Sequence, residues 1–355
     1  MESPSWPGTI FAPGPTFADS SGGTMSECDV TRERNASIPL SRRAWLEGAA
    51  AAGLGLAAFS IVRAAAGPEL RARAKKNLKL GIMSSVYADL PLDEAARQIK
   101  SDGFSGVVTD FTFADVHFNP LEPDWAAASK IVTTLERAGV QIVGLFGYYN
   151  IVDPDLRKRK LGEARMEALL SNWKRLGCPL VSTETGTFNS QSEWQDAPEN
   201  QTEQGYLQCR SVFEKHSRTA EKHGAVLSIE AYYRNIIGAI DRAERLFHEV
   251  RSPALRLVMD PCNYFRKQDL PRMKPMLEAM FQRLGDQIAI AHAKDVKASA
   301  DGEDLPAAGL GVLDYPLFLR LLAQLDRPLP LVVEHLRRPD VARARDFVIG
   351  QIEQI

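Results

Sequence analysis

The chain has 355 residues, 45% of them hydrophobic and 25% charged, with a formal net charge of −2. Length and composition are those of an ordinary globular protein with one large α/β domain or two small ones. The near-balanced charge excludes any general attraction to nucleic acid or anionic lipid.

In chain order, residues 1–40 are rich in Pro, Gly, Ser and Thr and show no period. Arg42 and Arg43 then precede a weakly apolar stretch of Ala, Gly and Leu that runs to Val62 and is followed by Ala64-Ala65-Ala66. A charged region, a short apolar region and a small-residue cleavage site make an export signal. The arginine pair is of the twin-arginine type. The apolar run is too short and Gly-rich to match the roughly 20 residues of a membrane span. Glu47 departs from the basic residue often found there, and Met25 is an alternative start that would shorten the long leading region. Residues 1–66 are therefore expected to be a leader read by the twin-arginine export machinery. Residues 67–355 are the folded domain, periplasmic or exported. Of Cys28, Cys178, Cys209 and Cys262, three remain in that mature chain. So odd and scattered a set is neither a disulfide framework nor a zinc knuckle, and at most one pair could form.

From Asn77 onward short apolar runs alternate with amphipathic stretches of helical length. The runs are 78–83, 106–111, 140–148, 179–185, 225–232, 255–261, 288–295 and 329–336. The predicted helices are 92–102, 124–138, 158–176, 203–223, 238–250, 271–284, 315–325 and 339–353. Several end on glycine, as in "ERAGV", "KRLGC", "EKHGA" and "QRLGD", which suits a helix C-cap. Strand–helix alternation demands a parallel sheet, and eight units of this size match a (β/α)8 TIM barrel. A doubly wound sheet gives no reason for eight evenly spread units, and no Gly-x-Gly-x-x-Gly follows the first strand.

Chemistry in such a barrel sits at the C-terminal ends of the strands. The last four runs end on Glu230, Asp260, His292 and Glu334. Any one of these could cap a helix or pair with an arginine. Four on adjacent strands, roughly 4.8 Å apart, converge. Three carboxylates crowded beside an imidazole would repel and resist ionisation. One divalent ion (Mn2+, Co2+, Mg2+, Fe2+ or Zn2+) removes that conflict and leaves room for substrate oxygens.

"SIEAYYRN", "VMDPCNYF", "AHAKD", "PAAGLGVLDYPLFLRLL" and "LVVEHL" make the mature chain similar to the xylose isomerase-like TIM-barrel superfamily. That superfamily comprises sugar isomerases, epimerases and inosose dehydratases, with endonuclease IV a distant relative. The resemblance implies that Glu230, Asp260, His292 and Glu334 are metal ligands and that Glu230 and Glu334 flank the substrate as an acid/base pair. Arg234 resembles the arginine of the epimerases' Glu-x-x-x-Arg pattern. Three departures stand out. Asn263 replaces a histidine common three residues after the strand-6 Asp, and Asn cannot shuttle protons. Val108 stands where the second strand commonly carries an acid, with Asp110 two residues on. The arginine soon after the strand-7 histidine is missing, Lys294 and Lys297 being the nearest cations. Endonuclease chemistry is disfavoured, because a three-zinc site needs more histidines than the chain's six, and His216, His223 and His248 fall in predicted helices.

Secondary candidates remain open between substrate contact and structure. Glu184 ends strand 4, Asp110 has the same status, and Lys294 shares the face of His292 by strand alternation. His117 lies in the long second loop. Tyr148, Tyr149, Trp194 and Tyr232 could wall a sugar site, and the polar stretch 187–204 could cover it. The expected reaction is proton abstraction next to a carbonyl through an enediolate, giving an isomer or epimer. Elimination of a β-hydroxyl or glycosidic oxygen would make the same site a lyase or dehydratase acting on a keto-sugar, keto-glycoside or inosose. A non-catalytic periplasmic sugar-binding barrel is the third reading. No phosphate-cradling loop is evident, so a free carbohydrate or cyclitol is expected rather than a sugar phosphate, and a homo-oligomer is compatible with the sequence.

Overall fold

The computed structural model describes residues 67–300 and 302–355; the leader expected over 1–66 lies outside them. Strands β1 (Leu78–Met83) and β2 (Gly106–Thr109) are followed by a small hairpin, β3 (Thr112–Phe113) with β4 (Val116–His117). Then come β5 (Gln141–Phe146), β6 (Leu180–Glu184), β7 (Val226–Glu230), β8 (Leu255–Met259) and β9 (Ile288–Ala293). A second hairpin, β10 (Lys297–Ser299) with β11 (Gly302–Asp304), precedes β12 (Leu329–Val333). The order β1-β12-β9-β8-β7-β6-β5-β2 closes on itself through β1 and β2, all pairs parallel. This is the expected (β/α)8 barrel.

The eight helices that follow the strands lie where the amphipathic pattern put them, with Glu203–His223 reproduced end for end and the others shifted by a residue or two. Four of their N-termini are fixed by side chains that satisfy otherwise orphaned amides. Asp124 accepts from Ala126 and Ala127, Asp155 from Arg157 and Lys158, Thr202 from Gly205, and Asp314 from Leu317. Of the four glycine stops, Gly139, Gly177 and Gly224 take left-handed backbone. Gly285 instead stays right-handed at φ −53 and leads into a 3-10 turn, Gly285–Gln287. One helix, Gly67–Asn77, is not signalled by the sequence pattern. Only Leu70, Ala74 and Asn77 of it are buried, so it carries too little apolar periodicity to read.

The barrel interior is filled by inward side chains, each Val, Leu or Ile worth about 1.5–3 kcal/mol on burial. Within it the Ser182 and Ser228 hydroxyls meet at 2.8 Å, which marks the inward face of β6 and β7. Cys178, Cys209 and Cys262 are buried and unpaired. Burial pushes the Cys178 thiol up to about 12, so it is packing rather than a nucleophile. Among the described residues no helix is long and apolar enough to cross a membrane.

Candidate metal centre

Strand alternation carries the inward face of Ser182 and Ser228 two residues on, to Glu184 and Glu230, which are register partners across β6 and β7. Asp260 follows β8, and its Oδ1 accepts from the Cys262 amide at 3.1 Å as the cap of the turn Pro261–Tyr264. His292 lies in β9 opposite Val332 of β12, and Glu334 follows that strand. Glu230, Asp260, His292 and Glu334 are all buried, and one ligand atom from each falls within 4.8 Å of all the others. The His292 Nδ1 lies 3.4 Å from Glu230 Oε1, 3.5 Å from Asp260 Oδ2 and 3.3 Å from Glu334 Oε1.

Three of these four atoms, Asp260 Oδ2, His292 Nδ1 and Glu334 Oε1, have no hydrogen-bond partner despite burial. Buried polar atoms are nearly always satisfied. The two carboxylate oxygens among them lie against the Lys294 ammonium, at 2.7 and 2.9 Å, and they converge with His292 Nδ1 and a fourth carboxylate oxygen; this donor set of three carboxylates and one imidazole suits a divalent cation chemically. The cluster is therefore consistent with a divalent metal.

The charges follow from the crowding. Burial opposes ionisation of Glu334, but His292 and Lys294 outweigh it and hold its pKa well below the usual carboxylate value. For Glu230 burial is again opposed, chiefly by His292, with a net lowering. Burial dominates at Asp260, pushing it up to about 6 in spite of Lys294. Burial disfavours charge on His292, yet Glu334 and Glu230 push its pKa well above the ordinary imidazole value.

Around the ligands stand groups of two kinds. Asn263 donates to Glu230 Oε1 at 2.7 Å, and the Tyr148 hydroxyl donates to Glu230 Oε2. On the other side the Lys294 ammonium lies 2.7 Å from Asp260 Oδ2 and 2.9 Å from Glu334 Oε1. His335 is 3.5 Å from the same ammonium. Burial pushes the His335 imidazole down to about 4.

Of the remaining candidates, Glu184 is 4% exposed, and its Oε2 has no hydrogen-bond partner. Burial, then the charges of Glu193, Glu230 and Asp153, raise its pKa well above the usual value. Arg234 is not in the cluster: its guanidinium lies 3.6 Å from Glu303 in β11 and over the Tyr233 ring. Asp110 accepts from the Ser84 hydroxyl and the Thr112 amide, holding the turn into β3. His117 is exposed, 3.0 Å from the Thr112 hydroxyl. Tyr149 packs away from the ligands, 2.6 Å from His216, with Gly162 leaving room for its ring. Trp194 stands edge-on to Tyr232 at 6.3 Å.

Two residues escaped sequence reasoning. His335 directly follows a ligand but takes φ 57, a left-handed conformation that no sequence pattern announces. Asp295 is buried and accepts from the amides of Val296, Gly309 and Leu313, tying down the loop that follows β11. Its place in "AHAKD" was visible; its partners, up to 18 residues on, were not.

A parallel eight-stranded barrel with a carboxylate–imidazole cluster at the C-terminal ends of its strands defines a metal-site TIM barrel. The family model described as "Xylose isomerase-like TIM barrel" matches residues 96–349, and the chain belongs to that family. No curated protein matches it. Among solved structures, the apo 3-keto-D-glucoside 4-epimerase of E. coli is similar at TM-score 0.58 and 16% identity, covering 79% of this chain and 100% of that one. A xylose isomerase-like TIM barrel protein from Mycobacterium smegmatis, in complex with magnesium, gives 0.59 and 17%, covering 79% and 97%. The probable 3-DHS dehydratase of petrobactin synthesis from Bacillus anthracis gives 0.58 and 14%, covering 78% and 97%. At these identities the likeness is one of fold.

Proposed function

We propose that the protein is a divalent-metal-dependent sugar isomerase or epimerase that removes a proton next to a carbonyl and returns it to the resulting enediolate. The observation that carries this reading is the buried cluster of Glu230, Asp260, His292 and Glu334 with its converging ligand atoms. A bound divalent ion supplies Lewis acidity toward carbonyl and hydroxyl oxygens of the substrate. Glu230 and Glu334 stand at the two ends of the arc β7-β8-β9-β12, which supports the acid/base pair that the family resemblance implies. One glutamate takes the proton and the other, or the same one, gives it back. Return on the opposite face gives an epimer; return to the next carbon gives an isomer. Tyr148 and Asn263 fix both oxygens of Glu230, so its direction of approach is set before substrate arrives. Burial and the neighbouring Glu230 charge raise the Tyr148 pKa well above the ordinary phenol value, so it acts as a donor.

A second reading has a specific observation in its favour. Asn263 gives its amide to Glu230 and has no proton to shuttle, which leaves fewer groups to reprotonate carbon. An enolate that instead expels a β-hydroxyl or glycosidic oxygen makes the protein a lyase or dehydratase. We also propose export to the periplasm through the twin-arginine leader, which would place the carbohydrate substrate there.

The test is to incubate metal-loaded protein with ketoses, 3-keto-glycosides and inososes in D2O and follow C–H exchange and products by NMR. Exchange with a new sugar is the expected result. Loss of water or aglycone selects the lyase, and neither exchange nor product across the panel leaves a binding barrel.

A further inference from the structure

We propose that Lys294 is a resident counter-ion of the metal site: it holds Asp260 and Glu334 together before metal arrives and thereby weakens the site's hold on metal. The inference rests on the metal-site reading above and concerns the lysine's own part in it.

The side chain is 4% exposed, and its position is overdetermined. Its carbonyl accepts from the Tyr315 hydroxyl at 2.8 Å and from the Cys262 thiol, and its backbone bridges to Ala307. The ammonium sits 2.7 Å from Asp260 Oδ2, 2.9 Å from Glu334 Oε1 and 3.5 Å from His335 Nε2. His335 is aimed by its left-handed backbone and by its Nδ1, which lies 2.5 Å from the Leu305 carbonyl. A carbonyl only accepts, so Nδ1 carries the proton and Nε2 presents a lone pair to the ammonium. A lysine offers three donors and a rigid socket here offers three acceptors, so this ammonium is placed by the fold.

Asp260 Oδ2 and Glu334 Oε1 are also two of the atoms that converge on His292 Nδ1 in the cluster. The ammonium reaches both at ion-pair distance, so the same two oxygens that converge with His292 Nδ1 also carry the lysine's counter-charge. Lys294 thus flanks the Asp260–Glu334 edge, while Glu230 is held by the neutral donors Asn263 and Tyr148. With three carboxylates and a neutral imidazole as ligands, one ammonium leaves a formal charge of −2, which a divalent ion neutralises. Without it the ligands would carry −3, repel one another more strongly when empty and attract the ion more strongly. At the short distances and reduced dielectric of a buried site, one unit charge is worth roughly tenfold or more in ion affinity.

The experiment compares wild type with Lys294→Met, which keeps the bulk of the side chain and removes the charge. Mn2+ and Zn2+ affinities are measured at pH 8 by competition with a chelator, and melting is followed with and without metal. The expected result is at least about tenfold tighter metal binding by K294M, a lower melting temperature of its metal-free form and a larger rise on loading. A merely structural lysine would loosen the site when lost. Equal or weaker affinity in K294M therefore overturns the proposal, while the wild type's own binding leaves the metal reading intact. A variant that folds only with metal supports it, since the ion then takes over the counter-charge. Failure to fold with metal present assigns the lysine to the core and overturns it. A wild type that takes up neither ion sinks the metal reading and this proposal together.

Discussion

Around the barrel mouth, the arc β7-β8-β9-β12 and the neighbouring strands β5 and β6 treat buried charge in opposite ways. On the first arc three acids share an imidazole and an ammonium, and His292 is pushed up by the carboxylates around it. On the second, Glu184 has Glu193, Glu230 and Asp153 as its charged neighbours, and behind it His216 is pushed down to about 4 by burial. Two buried acids in adjacent register, Glu184 and Glu230, and two buried imidazoles, His292 and His216, are thus pushed in opposite directions. A wall rich in paired charge can hold a cation, whereas one made of neutral groups can donate hydrogen bonds to substrate or simply pack.

The largest effect should come from breaking the charged arc. Glu334→Gln and His292→Ala are each expected to weaken metal binding by at least about a hundredfold, read by metal analysis after dialysis. A full complement in both variants would remove the metal centre from the account. Since the carboxylates around His292 favour its protonated form and it must be neutral to ligate, affinity should fall as pH falls.

On the other wall, Glu184→Gln replaces a carboxyl by a permanently neutral isostere. Burial raises the Glu184 pKa above the unfolded value, so the native state holds its proton where the unfolded state has released it. That contribution is present below the unfolded value near 4.5 and is lost as pH rises toward the folded one. E184Q should therefore melt increasingly above wild type as pH is raised from 4.5. A constant difference across pH would mean that Glu184 is ionised and paired. Metal content should not change.

A smaller effect is expected at the boundary of the two walls. Tyr148→Phe removes one of the two donors to Glu230. Losing a hydrogen bond to an ionised group should lower turnover about tenfold or more with metal content intact. A loss of metal instead would make Tyr148 part of the ligand scaffold.

The ligand arc was legible in the sequence because each member ends an apolar run, and the barrel turns four strand ends into one cluster. Lys294 and Asn263 were legible by spacing, two and three residues beyond His292 and Asp260. Their partners were not, since whether Lys294 faces a sugar or two ligands depends on where β12 sets Glu334. The aromatic candidates divide for the same reason. Tyr148 and Tyr149 are adjacent, yet one reaches Glu230 and the other His216, a split fixed by where β5 ends at Phe146. The short hairpins β3–β4 and β10–β11 carried no alternation long enough to read.

The least disruptive change separates the two imidazoles. His216 is fully buried with Tyr149 at its Nε2, and its Nδ1 has no partner, so protonation would place a charge where little compensates it. Its pKa falls from 6.5 to about 4, burial being the first cause. The native state therefore excludes a proton that the unfolded chain binds below 6.5, and stability drains away as pH falls from 6.5 to 4. By that shift the full effect is on the order of 3 kcal/mol. His216→Gln can still accept from Tyr149 but cannot titrate. It should cost little at neutral pH and lose less melting temperature than wild type between pH 7 and pH 4.5. Parallel acid curves for the two proteins would show that His216 charges without penalty, and the contrast with His292 would then rest on the metal site alone.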